Sequence, residues 1–209
     1  MPADTKFVDP EPIGLMGFAL TTFIVGLIEA NWLIAEGTTA ALLLAILYGG
    51  IVQAIAGIFG WRDGNTLAMA AFLTYGAFNI WFGLFELFSI NGIITPSSSL
   101  TAFGVTIFGF GIITVLWFVS SLEDSVALAA VFATLALTYL LVGLGYWLNT
   151  GALNVWGGYF ALVSALLAAY VAFAHVTNQT YGRDIVPTGP SLVSVGSDDS
   201  QAGAGQAGD

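Results

Sequence analysis

Six stretches of the chain run apolar for about 20 residues, the length a helix needs to cross the hydrocarbon core of a bilayer. They cover residues 13–33, 39–59, 66–88, 102–122, 125–148 and 155–176. Polar, glycine-rich breaks separate them: Glu36-Gly37, Arg62-Asp63-Gly64-Asn65, Asn91-Gly92 through Ser97-Ser98-Ser99, Glu123-Asp124 and Asn149-Thr150-Gly151. The pattern predicts an all-α membrane protein of six transmembrane helices. Residues 1–12 lead into the first helix, 13–177 hold the six-helix domain, 178–190 form a C-terminal segment, and 191–209 form an acidic tail expected to be disordered.

With six spans, both termini and the second and fourth loops lie on one side. Lys6, Arg62 and Arg183, all the cations of the chain, then share that side, which the positive-inside rule makes cytoplasmic. Trp61 and Trp117 fall near the inner interface and Trp32, Trp147 and Trp156 near the outer one, as an aromatic belt requires. Met1 to Asp9 is polar and acidic without a basic n-region, so the first helix is expected to remain in the mature protein.

Composition sharpens the class. The chain is 57% hydrophobic and 8% charged, where soluble domains carry roughly 25% charged residues. It has no cysteine, one histidine and a net charge of −10. Disulfide and thiolate chemistry are excluded, nucleic acid has no basic footprint to bind, and His175 cannot by itself build a metal site. No span contains lysine, which excludes a retinal Schiff base, and no phosphate-binding glycine loop is present. No nucleophile–base pair is visible, so the chain reads as a non-enzyme with neither catalytic residues nor a cofactor.

Small residues at four-residue spacing, Gly26 and Ala30, then Ala41, Ala45 and Gly49, then Ala161, Ala165 and Ala169, predict close helix packing in lipid. Charged residues inside spans are costly and mark function. Glu29 and Glu86 lie toward the outer ends of the first and third spans, where they line a solvated vestibule, take part in proton transfer or pair between protomers. His175, at the inner end of the sixth, reads as an interface residue. Thr21, Thr22, Gln53, Thr74, Tyr75, Asn79, Thr134 and Thr138 put hydroxyls and amides within spans. Such groups suit a small amphipathic solute, although each threonine can also bond its own helix.

The first span opens Asp9-Pro10-Glu11-Pro12-Ile13-Gly14-Leu15-Met16-Gly17-Phe18. Pro12 suits a first helical turn, and Gly14 and Gly17 bare one face for close packing. This stretch resembles the N-terminal signature of the acetate uptake transporter family, the succinate–acetate permeases and their fungal relatives, which runs Asn-Pro-Ala-Pro-Leu-Gly-Leu and then Gly-Phe. Tyr48-Gly49-Gly50, Gln53, Ala56-Gly57, Gly64-Asn65-Thr66, Ala71-Phe72, Thr74-Tyr75-Gly76 and Tyr181-Gly182-Arg183 extend the resemblance over residues 9–190. It departs at Asp9 for asparagine, Glu11 for alanine and Ile13 for leucine.

The resemblance implies a homohexamer of six-helix protomers in the plasma membrane, each with its own pathway for acetate and related carboxylates, as a channel or a proton symporter. It implies a hydrophobic constriction of Phe18, Tyr75 and Leu135, with Tyr75 offering a phenolic donor beside Thr74 and Thr134. Ala168 matches a position linked to substrate size. Two rival readings are a pore for a small neutral solute such as ammonia or an alcohol, which the acidic mouth favours, and a non-transporting membrane sensor.

Overall fold

The computed structural model of the chain describes residues 8–33, 38–94 and 96–193. Lys6, Glu36 and the tail beyond Val193 lie outside the described residues. Six helices are long and apolar enough to cross a membrane: α1 Glu11–Glu29, α2 Thr38–Asp63, α3 Thr66–Ile90, α4, whose apolar span is Leu100–Ser121, α5 Val126–Trp147 and α6 Gly151–Tyr181. No strand occurs among the described residues.

Helix ends differ from the expected spans for local reasons. α1 stops at Glu29 rather than residue 33, because Asn31 turns left-handed at φ +60 and the Trp32 and Leu33 amides fold back on the Leu27 carbonyl. α2 runs on through Arg62 and Asp63, placing both in its last turn instead of a loop, and Gly64 ends it at φ +80. Pro96 starts the fourth helix six residues before the expected position 102. α6 is longest, at 31 residues, or about 46 Å at 1.5 Å per residue. Residues 177–181 overrun the expected span and carry Asn178 and Gln179 beyond it.

α2 is not a uniform α-helix. Ala45–Val52 widens into π-type turns around Tyr48-Gly49-Gly50, a distortion that frequently marks functional sites. Packing accounts for the two glycines. A β-carbon on Gly49 would sit 2.8 Å from Thr21 Cβ, and one on Gly17 would sit 2.9 Å from the Tyr48 carbonyl oxygen. α1 and α2 therefore approach backbone to backbone, as the bared face of the signature predicts. Gly26 and Ala30 do the same against Gly158 and Ala161 of α6, so that small-residue stripe works within one protomer.

α1, α3 and α5 surround a buried cluster that includes Phe18, Tyr75, Phe78, Phe132, Leu135 and Tyr139. α2 packs on α3, α4 on α5, and α6 on both α1 and α5. The segment after α6 folds back as a strap. Asn178 Oδ1 accepts the Ile185 and Val186 amides, and the Pro190 and Thr188 carbonyls accept the otherwise unpaired first amides of α5, from Val126 and Ala127. The expectation of disorder from Ser191 is corrected at its start: the Leu192 and Val193 amides both bond the Leu122 carbonyl. Trp32, Trp61, Trp147 and Trp156 are exposed, but Trp117 is not a water-facing anchor. Its indole N–H is buried without a partner.

Candidate functional site: a pinched passage between the first, third and fifth spans

One face of α1 organises the site. Glu11, Leu15, Phe18, Thr22, Val25 and Glu29 follow one another at alternating spacings of four and three residues, which puts them on a single stripe. Each lines at least one of four cavities arranged in sequence along the helix. α3 contributes Phe72, Tyr75, Phe78 and Asn79 from a similar stripe, and α5 contributes Leu128, Phe132, Leu135 and Thr138.

The first cavity is lined by Glu11 and holds about 30 Å³. It adjoins a second, of about 20 Å³, with Leu15, Ala71, Phe72, Leu128 and Phe132 lining both. Phe18, Tyr75 and Leu135 meet at that second cavity, each with 3% or less of its surface exposed. The Phe18 and Tyr75 rings lie 6.2 Å apart, and Tyr75 lies 6.4 Å from Phe132 and 6.1 Å from Tyr139. Beyond Leu135 a third cavity of about 40 Å³ reaches Glu29, and Glu29 is shared with an open mouth of about 290 Å³ lined by Tyr146 and Asn154. About 10–15 Å³ accommodates one water, so the pinch at Phe18, Tyr75 and Leu135 has room for little more than that. Leu137, two residues on, is 42% exposed and faces away.

The polar groups fall differently from expectation. Thr22 and Thr138 line the third cavity with Asn79. Thr21 does not line any of the four cavities: it is buried against Gly49, and its hydroxyl has no partner. Thr74 and Thr134 are half-buried and also outside these linings. Thr134 Oγ1 bonds the Ala130 and Val131 carbonyls, and Thr138 Oγ1 bonds the Thr134 carbonyl at 3.0 Å. Tyr75 donates its phenol to Thr114 Oγ1 of α4 at 3.0 Å, and Thr114 donates on to the Phe110 carbonyl at 2.7 Å. The expected free phenolic donor is therefore already engaged.

Asn79 Nδ2 bonds both the Gly49 carbonyl at 3.0 Å and Gln53 Oε1 at 3.2 Å. Gln53 lines the second cavity and Asn79 the third, so this pair bridges the two sides of the pinch and uses a carbonyl in the widened turns of α2. Ala168 is fully buried in the core but lines none of the four cavities. Glu29 accepts a hydrogen bond from Tyr146 at 3.0 Å. Glu86 is half-buried and off the passage.

The mouth at Glu11 holds a cluster that single residues of the sequence do not reveal. His175 Nδ1 lies 3.1 Å from Asp9 Oδ2 and 3.4 Å from Glu11 Oε2. Asp9 Oδ1 accepts the Glu11 amide at 2.9 Å, and Asp9 Oδ2 also accepts from Gln179 at 3.1 Å. Asn65, which caps α3 by accepting the Ala68 amide, donates its side-chain N–H to Glu11. Burial alone would raise the Asp9 carboxyl, but hydrogen bonds from His175, the Glu11 amide and Gln179, with the His175 charge, hold it below its ordinary value. His175, toward the C-terminal end of α6, thus meets two carboxylates of the segment that opens α1.

Six membrane-crossing helices around a narrow, aromatic-pinched passage open at Glu29 and reaching Glu11 define a multi-pass membrane protein of the transporter or channel type. The chain belongs to the GPR1/FUN34/yaaH family, whose model matches residues 1–189. It is 31% identical over 189 residues to the succinate-acetate/proton symporter SatP of Escherichia coli (strain K12), covering 90% of this chain and 98% of that protein. It is 32% identical over 196 residues to acetate permease A of Emericella nidulans, covering 87% and 66% respectively. A solved structure of the bacterial acetate channel SatP superposes with a TM-score of 0.82 at 30% identity, covering 88% of this chain and all of that one.

Proposed function

We propose that the protein passes acetate and similar short monocarboxylates across the plasma membrane through the passage between α1, α3 and α5 of each protomer. The observation that carries this reading is the pinch. Phe18, Tyr75 and Leu135 close a string of cavities that otherwise runs from Glu11 to Glu29. The kinship to an acetate channel and to a succinate-acetate/proton symporter supports the choice of solute.

The chemistry fits a small amphipathic acid. Thr22, Thr138 and Asn79 offer polar walls on one side of the pinch, while the pinch itself is apolar and tolerates a methyl group. A bare anion there would be poorly solvated. The solute therefore crosses with a proton, or the side chains at the pinch move apart. Both termini lie on the cytoplasmic side in this reading, and six protomers assemble, as the family resemblance implies. The acidic pair Asp9 and Glu11 at one mouth supports a second reading, a pore for a small neutral solute.

Labelled-acetate uptake into vesicles containing the purified protein separates the two. The carboxylate reading predicts saturable uptake above empty vesicles that unlabelled propionate competes away. The neutral-solute reading predicts swelling in neutral solutes with no acetate flux.

A further inference from the structure

We propose that Glu11, hydrogen-bonded by Asn65 and served by His175, is the proton-binding group of the passage, so that a carboxylate crosses there together with one proton. The inference rests on the carboxylate-transport reading and adds to it the residues that carry the proton.

Placement is the first argument. Glu11 is 8% exposed and forms part of the wall of the cavity that adjoins the pinch at Phe18, Tyr75 and Leu135. Any solute using that mouth meets this carboxyl group. Ionised, it would repel an anion in a poorly solvated space; protonated, it can donate a hydrogen bond to the anion's oxygen.

The route to solvent is the second. One carboxylate oxygen each of Asp9 and Glu11 and one ring nitrogen of His175 all lie within 4.8 Å of one another. The side chains of His175 and Asp9 are 25% and 22% exposed, against 10% for Glu11. The cluster therefore runs from a solvent-touching edge to a buried carboxyl on the cavity wall. Among the described residues, groups facing it come from Asp9 before α1, Asn65 before α3, Asp124 before α5, and His175 and Gln179 on α6. The charged members named here, the histidine apart, are acidic.

The step balances without another reactant. The imidazolium's Nδ1 proton, held by Asp9 Oδ2 at 3.1 Å with Glu11 Oε2 3.4 Å from the same nitrogen, swings to Glu11 Oε2 and leaves neutral imidazole. Glu11 passes that proton to a solute carboxylate in the adjoining cavity, and the neutral acid moves through the apolar pinch. His175 regains a proton from water at the Asp9 edge.

The test is charge movement. Labelled-acetate uptake into vesicles is compared with and without an inside-positive potassium–valinomycin potential, for the wild type, Glu11→Gln and His175→Gln, with empty vesicles subtracted. Glutamine at position 11 keeps the oxygen that accepts from Asn65 but carries no transferable proton. Proton-coupled uptake moves no net charge, so wild-type flux is expected to ignore the potential. Either variant is expected to lose most of its potential-indifferent uptake, because the bare anion is poorly solvated at the pinch. The flux that remains is expected to follow the potential, 100 mV of which raises anion accumulation about 50-fold. Wild-type flux that follows the potential overturns the inference. So does uptake that stays at the wild-type rate and indifferent to the potential in both variants, with the proteins shown folded by thermal unfolding in detergent. No wild-type acetate flux at all instead removes the transport reading beneath it.

Discussion

Tyr75 donates its phenol to Thr114 across the α3–α4 contact at 3.0 Å. The bond fixes the ring at the pinch, with Phe18, Phe132 and Tyr139 around it at 6.1 to 6.4 Å. Because Thr114 already donates to the Phe110 carbonyl, it can only accept from Tyr75. The ring acts as a wall, and its hydroxyl as the anchor of that wall.

Two substitutions separate wall from anchor. Tyr75→Phe keeps the ring and leaves Thr114 satisfied by Phe110, so acetate uptake is expected to stay within a few-fold of wild type. Thr114→Val leaves the buried phenol unpaired and is expected to destabilise the protein by about 1–3 kcal/mol. Uptake kinetics and thermal unfolding in detergent check the pair. A loss of flux beyond about 100-fold in Tyr75→Phe, some 2.7 kcal/mol, would mean that the phenol binds the solute directly.

Leu135 sets the far wall of the pinch and is 2% exposed. Leu135→Ala should enlarge the passage at a cost of about 2–5 kcal/mol in stability. Uptake of a longer carboxylate such as succinate should rise relative to acetate. An unchanged ratio would argue that the pinch does not select by size.

The close approach of α1 and α2 depends on Gly49. Gly49→Ala would drive a methyl group into Thr21, and overpacking of this kind costs about 1–3 kcal/mol. Gly49→Ala combined with Thr21→Ser, which removes the methyl from that contact, should recover part of the loss. Thermal unfolding of the single and double variants measures it, and an undiminished melting temperature in Gly49→Ala would contradict the packing.

Asp9 gives a pH prediction with a defined sign. Its carboxyl sits below the ordinary value of 3.8 in the folded protein. Its contribution to stability is therefore fully present above that value and is lost as pH falls through the lower folded one. Asp9→Asn should lower the melting temperature at neutral pH, and the gap from wild type should close below about pH 3.8. A gap that persists unchanged in acid would show that the loss is one of shape rather than charge.

The spans were legible because lipid requires long apolar runs, and chemistry cannot disguise that requirement. Their ends were not, since α6 runs beyond the expected residue 176 to carry Asn178 and Gln179, and no hydropathy rule limits a helix that finds a partner outside lipid. Phe18, Tyr75 and Leu135, the residues the family resemblance singled out, line one cavity. The threonines divided by facing. Thr22 and Thr21 are neighbours in sequence, but the stripe that includes Glu11, Phe18 and Glu29 takes Thr22 into the passage and leaves Thr21 against Gly49. The cluster of Asp9, Glu11 and His175 was hidden because its members stand 166 residues apart and meet only when α6 folds back along α1.

The central claim is that a solute passes where Phe18, Tyr75 and Leu135 close the string of cavities. Labelled-acetate uptake by wild type, Tyr75→Ala and empty vesicles tests it most directly. The account predicts saturable wild-type uptake above empty vesicles and a changed rate in Tyr75→Ala, because removing the ring opens the pinch. Equal uptake in vesicles with folded protein and without it, or a Tyr75→Ala rate identical to wild type, would contradict it.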